Sequence, residues 1–152
     1  MRRKDKEITD ISDIERIIKK ATYCRIGLVD DDEPYVVPVC FGYEGNAVYF
    51  HGASEGRKVE LIRENNKICF EIDTDVELTK AEEPCGWAMR YRSVIGVGRA
   101  CFLESDEEKS HGLGVIVRHY TEGDFTFPKE TLDKITVVRV DIESITGRKS
   151  GY

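Results

Sequence analysis

The residues with the clearest chemical potential lie in the run Tyr49-Phe50-His51-Gly52-Ala53-Ser54-Glu55-Gly56-Arg57-Lys58, where a β-rich stretch passes through small residues into a helix start. Ser54 is placed to cap that helix, Gly52 and Gly56 let a ligand approach the backbone, and Arg57 and Lys58 add two cations in the first turn. Free amides, the positive end of a helix and two cations make an anion site suited to phosphate. A solvated helix start with ordinary surface cations would carry the same residues. A second feature is Val36-Val37-Pro38-Val39-Cys40, an apolar run broken by a residue that cannot donate to a ladder. Main-chain groups beside Pro38 are then free to meet a flat heterocycle, or the proline simply protects a sheet edge. A third is Arg90-Tyr91-Arg92-Ser93-Val94-Ile95-Gly96-Val97-Gly98-Arg99. It lacks the third glycine and the following helix of a dinucleotide loop, so that reading fails. Arg92 and Ser93 at its entrance offer a cation and a hydroxyl instead.

These residues must be carried by a scaffold, and the chain predicts one. Residues 1–9 read as a charged, frayed arm. Ser12 and Glu15 form a capping-box pattern before a short amphipathic helix that ends near Lys20, with Ile11, Ile14, Ile17 and Ile18 on one face. Tyr23–Val29, Tyr35–Tyr43 and Ala47–His51 read as strands separated by turn-forming clusters. A helix over Ser54–Asn65, a strand over Lys67–Asp73 and an irregular stretch over 74–90 follow, the last with an apolar plug, Cys85-Gly86-Trp87-Ala88-Met89. Tyr91–Leu103 is a long strand whose Gly96 and Gly98 suggest a bulge, a bend or a close neighbour. Ser105 and Glu108 cap a helix with Leu113, Ile116, Val117 and Tyr120 on one face, and Ile135–Ile142 is a last strand. About six strands in meander order predict a mainly β protein, an antiparallel β-barrel with flanking helices, in one domain over 1–152.

Composition limits the classes of function. The 152 residues carry 23 basic and 29 acidic side chains, a formal charge of −6, which disfavours binding to nucleic-acid backbones. A local cationic pocket for a small anion is still compatible with that total. No apolar run is long enough for a membrane span, and no apolar segment follows the charged start, so a cytoplasmic location is expected. The five cysteines are odd in number and widely spaced, which predicts reduced, mostly buried thiols and no metal site.

Several segments, in order, resemble the flavin-binding split β-barrel proteins related to pyridoxamine 5'-phosphate oxidase, most closely the nitroimidazole-resistance branch. They are Cys24-Arg25-Ile26-Gly27-Leu28-Val29, Pro34-Tyr35-Val36-Val37-Pro38-Val39, Tyr49-Phe50-His51-Gly52-Ala53 with Gly56-Arg57-Lys58, Tyr91-Arg92-Ser93-Val94 with Gly96 and Gly98, and Thr146-Gly147-Arg148. The last departs from the Thr-Gly-Lys of many relatives and keeps the cation while changing its shape. The resemblance implies a six-stranded split barrel and a homodimer with FMN at the subunit interface. It implies that Lys58 and Arg57 hold the phosphate and that Pro38 and Val39 line the ring. His51, Gly52 and Ala53 would lie along the cofactor, Arg92 and Ser93 would reach it, and Trp87 would cover the flavin of the partner subunit. For His51 it implies a proton donor near the reacting atoms, although a structural strand-end histidine is the competing reading. The implied activity is FMN-dependent reduction of small molecules such as nitroaromatics by a reduced nicotinamide. A non-catalytic flavin store or redox sensor, and a pyridoxamine phosphate oxidase-like activity, are the alternatives.

Overall fold

The computed structural model describes residues 4–152. Eight strands form one antiparallel sheet: β1 (Glu7–Ile8), β2 (Cys24–Asp30), β3 (Glu33–Val39), β4 (Phe41–Glu44), β5 (Ala47–Ala53), β6 (Lys67–Thr79), β7 (Ala88–Leu103) and β8 (Ile135–Ser150). Four α-helices accompany them: α1 (Ile11–Lys20), α2 (Arg57–Glu64), α3 (Asp106–Tyr120) and α4 (Lys129–Leu132). The strand order is β3-β2-β6-β7-β8-β5-β4, with β1 added to β8. This corrects the expected six strands in meander order, because β2 pairs with β6 and β5 pairs with β8 across long stretches of chain.

The period-two alternation of the strands sets which side chains fill the core. Cys24, Ile26 and Leu28 of β2 point inward with Ile68, Phe70 and Ile72 of β6, Val94 of β7 and Val138 and Val140 of β8. Ile14, Ile17 and Ile18 of α1 close one end of that core. β5 is buried on both faces, since Val48 and Phe50 face this core while Ala47 and Tyr49 face a second cluster with Leu113 and Ile116 of α3 and Leu132 of α4. Gly96 makes room for the core: a Cβ there would lie 2.1 Å from the Phe70 ring. β3 and β4 stand at opposite ends of the strand order, yet only Cys40 separates them in the chain, so the two edges converge there. Among the described residues β3 pairs only with β2 and β4 only with β5, so the sheet is not closed into a barrel by hydrogen bonds, which corrects the expected barrel.

Other expectations are corrected at element ends. Part of the expected frayed arm is fixed, with Glu7 and Ile8 paired to Arg148 and Gly147; the remainder of that reading, at 1–3, lies outside the described residues. α1 is capped by Asp10, whose carboxylate accepts from the amides of Ser12 and Asp13, rather than by Ser12. The Ser105–Glu108 capping box is present. The buried face of α3 is Gly112–Ile116, however, and Tyr120 is exposed. Part of the stretch read as irregular is a hairpin extension, with Glu77, Leu78 and Thr79 paired to Arg90, Met89 and Ala88 across a bulge. Of the five free cysteines only Cys24 is buried, and Cys40, Cys69 and Cys85 are exposed.

Candidate functional site

The β4–β5 ladder runs from Glu44↔Ala47 to Phe41↔Phe50 and stops. Beyond it, Pro38 and Val39 lead away on β3 while His51, Gly52 and Ala53 continue on β5, which pairs there only with β8. The two chain segments thus diverge from Cys40 and leave a split with unpaired main chain on both sides. Pro38 fits this position because its missing amide faces no ladder. Val39 is buried at the root of the split, and Pro38 and Ala53 are exposed.

α2 begins directly after β5. Its N-cap is Gly56, at φ 121°, a conformation that favours glycine, and no side chain caps the helix. Ser54 therefore does not cap it, contrary to expectation, and the helix starts three residues later at Arg57. The amides of Val59 and Glu60 bond back to the Gly56 carbonyl, whereas those of Arg57 and Lys58 have no hydrogen-bond acceptor among the described residues.

Lys58 turns back onto β5. Its Nζ is 5.5 Å from the centroid of the Phe50 ring, and a Cβ placed on Gly52 would lie 3.0 Å from it. Among the described residues it makes no ion pair and no hydrogen bond. Burial pushes its pKa below the usual lysine value with no carboxylate to offset the effect. Desolvation, followed by the charge of Lys58, also lowers the imidazole pKa of His51, which strand alternation turns to the other face of β5 from Gly52. The site thus combines a cation without a counter-ion and, within reach of its charge, a histidine held toward its neutral form. An anion accepted there would favour the charged state of both.

Arg57 points elsewhere. Its Nη2 and Nε lie 2.6 and 2.7 Å from Asp30 Oδ2, and its guanidinium is 4.9 Å from the Tyr35 ring centroid. It ties α2 to the β2–β3 turn, so Lys58 is the cation left facing the split. Arg92 and Ser93 are also separated, because neighbouring residues on a strand face opposite sides. Ser93 is buried on the outer face, while Arg92 bonds Asp75 at 2.7 Å and stacks 4.0 Å from the Tyr152 ring centroid. The cation directly across from Ser93 is Arg148, whose Nε is buried without a hydrogen-bond partner. Sequence reasoning missed this pair, since 55 residues separate the two positions; only the β7–β8 register joins them. Trp87 is remote from the split on the β6–β7 hairpin, 45% exposed, with Nε1 donating to the Ala81 carbonyl at 3.1 Å. Among the described residues no group of three or more His, Cys, Asp and Glu is placed to share a metal ion.

Comparison with known proteins follows this geometry. A family model described as pyridoxamine 5'-phosphate oxidase matches residues 10–149. The chain is similar to the crystal structure of a candidate 5-nitroimidazole antibiotic resistance protein from Bacteroides thetaiotaomicron VPI-5482, with 35% identity and a TM-score of 0.85 over 94% of this chain and 86% of that one. It shares its fold with the flavocytochrome Anf3 of Azotobacter vinelandii (22% identity, TM-score 0.87, 100% of this chain and 72% of that one). It also shares it with an FAD-binding protein of Mesorhizobium loti (19% identity, TM-score 0.70, 95% and 97%). An uncharacterized protein of Rhizobium meliloti (strain 1021) is 29% identical over 56 residues, 37% of this chain and 36% of that protein.

Proposed function

The chain belongs to the pyridoxamine 5'-phosphate oxidase family, and from that premise we propose that it is an FMN-dependent oxidoreductase of small molecules, acting as a homodimer. The observation that carries the proposal is the unpartnered ammonium of Lys58 at the uncapped start of α2, beside two diverging strands with free main chain. Those features fit a phosphate joined to a flat ring. Lys58 and the first amides of α2 hold the phosphate, while Pro38 and Val39 line one edge of the ring and His51, Gly52 and Ala53 the other. Arg57 positions the helix through Asp30. Ser93 and Arg148 supply a hydroxyl and a cation from the outer face, and Trp87 reaches the cofactor of the second copy.

Flavin, when bound, supplies two-electron redox chemistry between a reduced nicotinamide and an acceptor such as a nitroaromatic compound. The protein binds, orients and excludes water. Among the described residues His51 is the only histidine at the split; with Lys58 neutralised by a phosphate it regains basicity and can hold a proton for an acceptor. The likeness to the Bacteroides thetaiotaomicron protein supports a nitroimidazole-type acceptor.

The test is anaerobic. FMN-loaded protein is mixed with reduced nicotinamide, followed by a nitroimidazole. Bleaching of the flavin and its recovery on adding the acceptor are expected. Tight FMN binding without reduction would replace this reading with a flavin store or sensor, and failure to take up FMN would overturn both.

A further inference from the structure

A second cavity, of about 370 Å³, lies at the end of the barrel beneath α1, on the opposite face of β7 from Ser93. Four cations line it, Arg16, Lys20, Arg92 and Lys149, against two carboxylates, Asp13 and Asp75, an excess of 4 − 2 = +2 in a chain of net charge −6. Asp13 is engaged by Arg16 at 2.6 Å, and Asp75 alone serves both Lys20 and Arg92. Lys149 has no ion pair or hydrogen bond among the described residues.

The site is built rather than merely charged. Asp75 sits at φ 56° in the bulge between Thr74 and Glu77, and its carbonyl accepts from the Tyr152 hydroxyl at 2.7 Å. The Tyr152 ring and the Asp75 carboxylate fix the Arg92 guanidinium from two sides. Thr74 lines the same cavity, is only 7% exposed, and its hydroxyl has no hydrogen-bond partner. A buried hydroxyl without a partner is costly and is satisfied by an acceptor oxygen.

We propose that this cavity is a binding site for a phosphate dianion, free or as the terminal group of a small phosphomonoester, separate from the split between β3 and β5. Two negative charges match the excess of two, the Thr74 hydroxyl donates to one oxygen, and Lys149 with Arg92 takes the others. The inference does not rest on the flavin reading.

Amide NMR on the protein as purified tests it, with inorganic phosphate and glycerol phosphate as titrants and chloride at equal ionic strength as control. Saturable shifts at Thr74, Asp75 and Lys149 are expected with phosphate and absent with chloride. The better titrant identifies the source. Lys149→Met should weaken binding at least about 10-fold and Thr74→Val roughly 5-fold, as expected for losing one charge-assisted or one neutral hydrogen bond. Lys58→Ala should leave these shifts unchanged, and thermal melts confirm that each variant is folded. Absence of saturable shifts up to roughly 10 mM phosphate, weaker than any useful affinity, would overturn the proposal. So would shifts that survive Lys149→Met or disappear with Lys58→Ala.

Discussion

At the scale of single residues the account depends on Lys58 and His51. Both have pKa values lowered by burial, and the lysine charge adds to the effect on the histidine. Because the folded His51 pKa lies below its ordinary 6.5, the folded chain binds fewer protons there than the unfolded chain. Its contribution to stability is therefore present above the ordinary value and is lost as pH falls through the folded pKa. NMR titration of the His51 ring should show a pKa below 6.5 that rises in Lys58→Ala, and rises again in the wild type when FMN is added. A His51 pKa indifferent to both changes would separate the two residues. Lys58 and His51 were legible in the sequence because they follow a strand and open a helix within eight residues. The Arg57–Asp30 pair was not legible, as adjacency gives no information about which side chain Asp30 captures.

Element ends decide where the site opens. The sequence signals capping correctly at Ser105, where side chain and backbone satisfy each other, and wrongly at Ser54, where the turn extends to Gly56 and leaves α2 open. Ser105→Ala should cost about 1 kcal/mol, read as a drop in melting temperature of roughly 2–4 °C, since the Ser105 hydroxyl no longer accepts from the Glu108 amide or donates to the Glu108 carboxylate. An unchanged melting temperature would show that packing of Leu113 and Ile116 alone fixes the helix. Strand existence was legible from alternation. The pairing of β2 with β6 and of β5 with β8 was not, because each depends on contacts tens of residues apart and on the reversal at Cys40. The hairpin extension was hidden for a different reason: a bulge between Thr74 and Glu77 interrupts the pattern of β6, and the apolar residues in and beyond it, Val76, Leu78, Trp87 and Met89, are exposed instead of joining the core.

At the scale of the molecule those exposed side chains, with Val36 and Ile95 on the same outer sheet face, form an apolar surface that a second copy would cover. Leu78 and Met89 are direct neighbours across β6 and β7. Replacing both by Asp should weaken self-association at least about 100-fold, on the basis of roughly 1.5–3 kcal/mol for each buried side chain. On the proposed homodimer, sedimentation is expected to give dimer for the wild type and monomer for the double variant at the same concentration, with flavin affinity falling in parallel. A dimer unaffected by both charges would place the interface elsewhere. Within the described residues no helix is long and apolar enough to cross a membrane. The whole-chain charge of −6 does not conflict with a phosphate ligand, because Lys58 and Arg148 face the proposed flavin side without carboxylate partners. The central claim is that Lys58 holds the phosphate of a flavin, and calorimetric titration of wild type and Lys58→Ala with FMN and with riboflavin tests it most directly. The account predicts a loss of roughly 10- to 100-fold in FMN affinity, the worth of one charged hydrogen bond, with riboflavin affinity little changed; an equal loss for both ligands, or none for either, would contradict it.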